Sequence, residues 1–106
     1  IIEGKNEEAI TEEVLKEISF TPPVLRGSFD IKQLSAVINR MNLVISSSTG
    51  TSHIAAANGT PTLTLFCPIL VLSPKRWAPW GNKNISLLPD MGSCRKCLRK
   101  KCKSYN

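Results

Sequence analysis

The sequence predicts an α/β fold in which a parallel sheet carries helices on both faces. Short apolar runs of strand length alternate along the chain with amphipathic segments of helical period, as expected of successive β-α-β units. The length of 106 residues limits the chain to one domain with a single core. No apolar run approaches the roughly 20 residues that a membrane-spanning helix needs.

The first third of the chain is predicted to contain a helix between two extended segments. The helix is placed over residues 7–18, because Ile10, Val14 and Ile18 recur every four residues. Its first two turns are acidic, which suits the positive end of a helix dipole. The extended segments are residues 1–4 and 24–27.

A second helix is predicted to begin at Asp30. The spacing from Asp30 to Gln33 is that of a capping box, in which each residue satisfies a backbone N–H of the other. Asn42 is the predicted end of this helix. Its apolar stripe consists of Ile31, Leu34, Val37, Ile38 and Met41.

The most informative stretch of the sequence is Ile45–Pro68. It predicts a first strand, followed by a turn, a helix and a second strand. Residues 43–45 form an apolar run typical of a strand covered on both faces. The helix is placed over residues 51–58 and the next strand over residues 62–66. Gly59 stands where a helix C-cap favours positive φ. Serine, threonine and glycine at the turn bring free N–H groups and a helix dipole to one point, which favours phosphate binding.

The candidate phosphate-binding residues are Ser48, Thr49, Gly50, Thr51, Ser52 and His53. Gly50 lets a phosphate approach the backbone closely, and the neighbouring hydroxyls can donate hydrogen bonds. His53, the single histidine of the chain, lies in the first helical turn and can contact a phosphate or ribose oxygen. The alternative is that serine and threonine only cap the helix and that His53 is structural.

This stretch resembles the signature of glycosyltransferase family 9, the bacterial heptosyltransferases of lipopolysaccharide synthesis. The signature Asp/Ser-Ser/Thr-Gly-x-x-His-x-Ala-Ala-Ala-x-Gly-x-Pro corresponds to residues 48–61. Agreement continues through Phe66 and the segment Ser73–Gly81. Many members of the family have aspartate where this chain has Ser48. A carboxylate there can orient the donor, whereas a hydroxyl can only hydrogen-bond.

The resemblance implies a specific place for this chain in a larger enzyme. Residues 1–90 would form part of the Rossmann-like C-terminal domain of a GT-B glycosyltransferase. That domain would hold a nucleotide diphosphate sugar, ADP-heptose by resemblance, for transfer to a lipopolysaccharide core acceptor, and the transfer itself would need no metal. The N-terminal acceptor domain and the catalytic base would lie outside this chain, so the chain alone would bind donor without turnover. A cytoplasmic location, at the inner face of the inner membrane, is expected.

A second candidate element is the segment Ser73–Gly81. Lys75 and Arg76 can neutralise phosphate, and arginine can do so bidentately. Trp77 or Trp80 can pack on a base or sugar, or can instead anchor the loop. The segment is predicted to lie in a long loop over residues 68–84, followed by a last strand over residues 85–88.

Positive charge is concentrated in the second half of the chain. The net charge is +6, and residues 51–106 hold nine basic side chains and one acidic one, against five and seven in residues 1–50. This asymmetry favours an anionic partner such as phosphate, anionic lipid or nucleic acid, although a solvated basic tail explains it equally well.

The basic tail, residues 91–106, contains Cys94, Cys97 and Cys102. Two thiolates at Cys-x-x-Cys spacing chelate zinc well, and a third leaves one position for another ligand. The flanking cations can instead favour thiolates and make the cysteines redox-reactive. A competing hypothesis is therefore a small basic module that binds zinc and a nucleic acid or other anion, and a third is a non-catalytic relative of the family. Under the leading hypothesis no nucleic-acid partner is expected.

Overall fold

The computed structural model describes residues 1–81 and 83–89, and the tail over residues 91–106 lies outside that part. The chain divides into two compact units, residues 1–33 and 34–106. Each unit contains a parallel sheet whose strands are connected through helices. The predicted α/β class is therefore confirmed.

The first unit is a small β-α-β arrangement. Strand β1 (Ile2–Glu3) leads into helix α1 (Glu8–Glu17), and strand β2 (Leu25–Arg26) returns parallel to β1. A carboxylate oxygen of Glu7 accepts the N–H of Gly4 at 2.8 Å in the turn before α1. The predicted helix and both extended segments are confirmed, with boundaries within two residues.

Helix α1 turns a different face inward from the one its apolar stripe predicts. Thr11 is buried, whereas Ile10 and Val14 are 63% and 46% exposed. The inward face runs through Thr11, Leu15 and Ile18, which also recur at helical spacing. The recurrence of apolar residues at every fourth position predicted the helix correctly. It predicted the buried face of the helix only in part.

Helix α2 (Ile31–Ile38) begins with the predicted capping box. Asp30 Oδ1 accepts the N–H of Gln33 at 2.8 Å, and Gln33 Oε1 accepts the N–H of Asp30 at 3.0 Å. The helix ends at Ile38, before the predicted end at Asn42. The N–H groups of Arg40 and Met41 donate to carbonyl oxygens only three residues earlier. The α-helix therefore ends in a tighter turn of the 3₁₀ type.

The second unit contains a three-stranded parallel sheet. Its strands are β3 (Val44–Ser47), β4 (Thr62–Leu65) and β5 (Asn84–Leu87), in that spatial order. Helix α3 (Gly50–Ala57) connects β3 to β4 and packs on both strands. The predicted strands and helix of this stretch are confirmed within two residues.

The two faces of this sheet differ in exposure. On the face that holds Val44, Thr62 and Thr64, side chains are buried. On the other face, Ile45 and Ile85 are 62% and 61% exposed. The prediction that residues 43–45 form a strand covered on both faces is therefore wrong for this chain, because no described element buries the Ile45 side.

The core of the second unit is small. Its buried apolar side chains are Ile38, Val44, Ala55 and Phe66.

The longest helix in the described residues has ten residues, and none of the described helices is long and apolar enough to span a bilayer.

The connection from β4 to β5, predicted as a loop, contains two short helices. A 3₁₀ turn covers Leu70–Leu72, and helix α4 covers Pro74–Trp77. Proline at the first helical position fixes φ at a helical value and loses no hydrogen bond there. The indole N–H of Trp77 donates to the carbonyl of Val71 at 3.0 Å, which closes the segment on itself.

Candidate functional site

The turn between β3 and α3 lies at the carboxyl edge of the parallel sheet. Strand β3 ends at Ser47, and the N–H of Ser48 donates to the carbonyl of Leu65, the last residue of β4, at 3.0 Å. In open parallel sheets, ligands bind in the crevice outside the carboxyl ends of the strands. The candidate residues Ser48–His53 therefore occupy the position where such folds bind ligands.

Thr49 is the N-cap residue of α3, yet its side chain does not cap the helix. Its backbone is extended, with φ −132° and ψ 176°, and it makes no side-chain cap hydrogen bond. Its N–H and its hydroxyl both donate back to the carbonyl of Ser47, at 2.8 and 3.4 Å. The Thr49 side chain therefore does not cap the helix, although Thr49 occupies the N-cap position.

The first turn of α3 leaves two backbone donors available. The N–H of Ser52 donates to the carbonyl of Thr49 at 3.2 Å. Within the part of the chain that the structure describes, the N–H groups of Gly50 and Thr51 have no partner, as expected at a helix start. Together with the helix dipole, two such donors favour an anion at this point.

Gly50 borders open space. A Cβ built on Gly50 meets no heavy atom within 4 Å, beyond its own neighbours and helix backbone. Its φ is not in the left-handed region, so neither the backbone conformation nor the packing of this chain requires glycine there. A requirement for close approach by a ligand would explain the residue.

Several side chains around the turn are free to bind a ligand. The hydroxyls of the half-buried Ser48 and Thr51 make no hydrogen bond to any described residue. His53 is exposed, and its ring bonds to no described group. Hydroxyls and imidazole N–H groups are suitable donors to phosphate and ribose oxygens.

Ser52 lies beneath the turn. It has no exposed surface, and its hydroxyl donates to the carbonyl of Thr49 at 2.8 Å. Its hydroxyl hydrogen is therefore engaged inside the protein. Whether Ser52 contributes to a ligand site stays a prediction.

The other end of α3 is fixed by a Schellman motif. The N–H of Gly59 donates to the carbonyl oxygen of Ala56 at 3.0 Å, and the N–H of Thr60 donates to the carbonyl oxygen of Ala55 at 2.9 Å. Gly59 has φ +73°. The prediction of a glycine C-cap is confirmed.

Two side-chain contacts that sequence reasoning missed attach this end of α3 to α2. The Asn58 amide donates to the carbonyl of Ser35 at 2.9 Å and accepts the Ser35 hydroxyl at 3.1 Å. The hydroxyl of Thr60 donates to the carbonyl of Ile38 at 3.2 Å. Polar residues at a helix end signal a cap, but the sequence does not reveal which distant carbonyl they reach.

Lys75 and Arg76 lie in α4, in the connection between β4 and β5, and both are exposed. The guanidinium of Arg76 lies 5.6 Å from the centroid of the Trp77 ring, a cation–π distance. Among the described residues, no hydrogen bond or ion pair joins either cation to the Ser48–His53 turn. Their part in the site stays a prediction.

Other features of the described residues lie apart from this turn. A shallow pocket of about 110 Å³, lined by residues that include Thr60, Trp80 and Asn84, lies at the opposite, C-terminal end of α3. No three histidine, cysteine or acidic side chains in residues 1–81 and 83–89 come together as metal ligands. The cysteines predicted to bind zinc, Cys94, Cys97 and Cys102, lie outside the described residues.

Known proteins resemble this chain in sequence and in structure. The sequence model of glycosyltransferase family 9 (heptosyltransferase) matches residues 2–106. Over 79 residues the chain is 37% identical to the lipopolysaccharide core heptosyltransferase OpsX of Haemophilus influenzae, covering 74% of this chain and 22% of that protein. The crystal structure of a family 9 glycosyl transferase from Veillonella parvula matches with a TM-score of 0.72 and 26% identity, over 83% of this chain and 24% of that one. The chain thus spans less than a quarter of the length of either relative.

Proposed function

Because this chain belongs to glycosyltransferase family 9, we propose that it forms part of the nucleotide diphosphate sugar site of a heptosyltransferase. The observation that carries the proposal is the turn Ser48–His53. It presents the free N–H groups of Gly50 and Thr51 at the carboxyl edge of a parallel sheet, beside open space. That arrangement suits the diphosphate of a sugar donor.

The name of the Haemophilus relative supports the finer assignment. A heptosyltransferase of the lipopolysaccharide core would transfer a heptose to a lipopolysaccharide acceptor, and ADP-heptose is the donor that we propose. The diphosphate would accept the Gly50 and Thr51 N–H groups, with His53 directed to a phosphate or ribose oxygen. Lys75 or Arg76 would add charge, and no metal would be required for transfer. The acceptor site and the base for its hydroxyl would be supplied by parts of the enzyme that this chain does not span.

Ser48 offers a hydroxyl, and no carboxylate, to a bound donor. Ser48 is half-buried, and its N–H is used to hold the turn on β4. Its hydroxyl can donate to or accept from a sugar hydroxyl, but it provides no negative charge. We therefore propose that Ser48 contacts the donor through hydrogen bonding alone.

The substitution Gly50→Ala tests the proposed diphosphate contact. The added methyl group occupies the space next to the two free N–H groups, so the affinity for ADP should fall at least about tenfold. Since that space is otherwise empty, the thermal midpoint should stay the same or rise slightly. Gly50→Val should abolish binding. Affinities for ADP, UDP and GDP are to be measured by calorimetry on the same preparations.

Gly59→Ala is the matched control. Gly59 has φ +73°, so alanine there strains the backbone and should lower the thermal midpoint. It lies at the far end of α3, and the folded variant should bind ADP as the wild type does. Unchanged ADP affinity in Gly50→Ala would overturn the assignment of the turn. A preference for UDP or GDP would overturn the ADP-linked donor and keep the diphosphate site.

A further inference from the structure

The direction of the Gly50 N–H is fixed by the carbonyl of Thr49. Both groups belong to one peptide unit, which is planar and trans, so the N–H points away from the carbonyl oxygen. Whatever holds the Thr49 carbonyl in place therefore also fixes the direction in which the Gly50 N–H points.

Two donors hold that carbonyl, and both come from Ser52. The backbone N–H of Ser52 lies 3.2 Å from the Thr49 oxygen, and the Ser52 hydroxyl lies 2.8 Å from it. The hydroxyl bond is the shorter one. It also comes from a side chain that has no exposed surface.

Two residues of α3, Ser52 and Ala55, are buried. Ala55 lies one turn further along α3, is also fully buried, and fills its site with a methyl group. A buried hydroxyl costs desolvation free energy unless it is hydrogen-bonded, and the bond it makes here is to Thr49.

We propose that Ser52 is a positioning residue of the anion site. Its hydroxyl holds the Thr49–Gly50 peptide in the orientation that presents the Gly50 N–H to a diphosphate, and it does not touch the ligand itself. This inference rests on the proposed function, because it assigns a role within the same site. It replaces the expectation that Ser52 binds phosphate directly.

The variant Ser52→Ala tests the role with inorganic pyrophosphate as the probe. Without the hydroxyl the peptide is held by one bond instead of two, and the affinity for pyrophosphate should fall about fivefold. Ser52→Thr keeps the hydroxyl and should restore most of that affinity. In the ligand-free protein, ¹⁵N relaxation should show a lower order parameter for the Gly50 N–H in Ser52→Ala than in the wild type.

Thr60→Val is the control for a purely structural effect. It removes another buried hydroxyl bond, from Thr60 to the carbonyl of Ile38, at the far end of α3. Both variants should lose some stability, but only Ser52→Ala should lose pyrophosphate affinity and order at Gly50. An equal loss of affinity in both variants, or no loss in Ser52→Ala, would overturn the inference. A wild-type chain that does not bind pyrophosphate would overturn the proposed function. In that case an unchanged order parameter at Gly50 in Ser52→Ala would overturn the positioning role as well.

Discussion

Glu3 is an ionisable side chain held almost entirely out of water. It is 3% exposed in the first unit, and both of its carboxylate oxygens lie 3.2 Å from Nε of Arg26. Nη2 of Arg26 also lies 2.9 Å from Glu12, whose side chain is exposed. The hydrogen bond to Glu3, with the charge of Glu3 and then of Glu12, raises the pKa of Arg26, so the guanidinium stays charged. A buried charge of this kind depends on its partner.

Removing Arg26 should therefore cost more stability than removing the exposed partner. Arg26→Met leaves the Glu3 carboxylate buried without a cation, whereas Glu12→Gln removes only a solvent-screened contact. The urea midpoint should fall clearly in the first variant and hardly change in the second. Equal midpoints for the two variants would show that the Glu3–Arg26 pair does not stabilise the unit.

His53 provides a second test at the scale of one residue. Its ring is exposed and free of bonds to described groups, so His53→Ala should change the free energy of unfolding by less than about 0.5 kcal/mol. Loss of a donor to the diphosphate or ribose should weaken ADP binding about three- to tenfold. Arg40→Ala removes an exposed cation elsewhere and should leave the affinity unchanged. Retention of full ADP affinity in His53→Ala would remove His53 from the proposed contacts to the donor.

Helix α3 is the element on which the site depends. Its N-terminus carries the free donors, and its C-terminus is anchored by Asn58, Gly59 and Thr60. The anchoring fixes where the N-terminus lies at the sheet edge. Stability and binding can therefore be separated by changing one end at a time.

Asn58→Ala should weaken the anchored end without touching the donors. It removes the hydrogen bonds to Ser35 and should lower the free energy of unfolding by about 1–3 kcal/mol. Asn42→Ala, at an exposed position, is the matched control and should have little effect. The folded fraction of Asn58→Ala should bind ADP normally. A stability equal to that of Asn42→Ala would mean that the contact does not hold α3.

At the level of elements, local signals were enough to predict most of the fold. The capping box of Asp30 and Gln33, and the C-cap glycine at position 59, are set by neighbouring residues and appear as predicted. The exposed side of α1 and the open face of the sheet were not predictable, because burial depends on what packs against an element. Helix α4 was missed because four residues are too few to show a period.

The local structure of the candidate site was predictable to a similar degree. The turn chemistry of residues 48–53 located the free donors, since they follow from a helix start after a strand. Which hydroxyl side chain of the turn is buried was not predictable. Ser52 and Thr51 are both hydroxyl residues next to each other in sequence, and only the direction of each side chain shows that Ser52 is buried. Where Lys75 and Arg76 lie relative to a donor also depends on the conformation of a long connection.

At the scale of the whole chain, positive charge is concentrated in the residues that follow the Ser48–His53 turn in the sequence. From residue 51 to Pro89 the sequence contains Lys75, Arg76 and Lys83 and no acidic residue. Such a distribution attracts anions at a distance even where no cation touches them. It supports a phosphate-bearing ligand independently of the hydrogen-bond geometry.

Salt should therefore weaken ADP binding and spare adenosine binding. Raising the ionic strength from about 0.01 to about 0.15 M shortens the Debye length from about 30 to about 8 Å. The affinity for ADP should fall several-fold over this range in calorimetric titrations. A parallel fall in adenosine affinity, or none for ADP, would contradict a role for the charge of the second half.

We propose that the turn Ser48–His53 binds a diphosphate through the start of α3. An amide NMR titration of the chain with ADP and with pyrophosphate tests it most directly. The amides of Gly50 and Thr51 should shift most with both ligands, because their N–H groups are the free donors. Saturating ADP that leaves these two amides unshifted, or shifts only amides elsewhere in the chain, would contradict it.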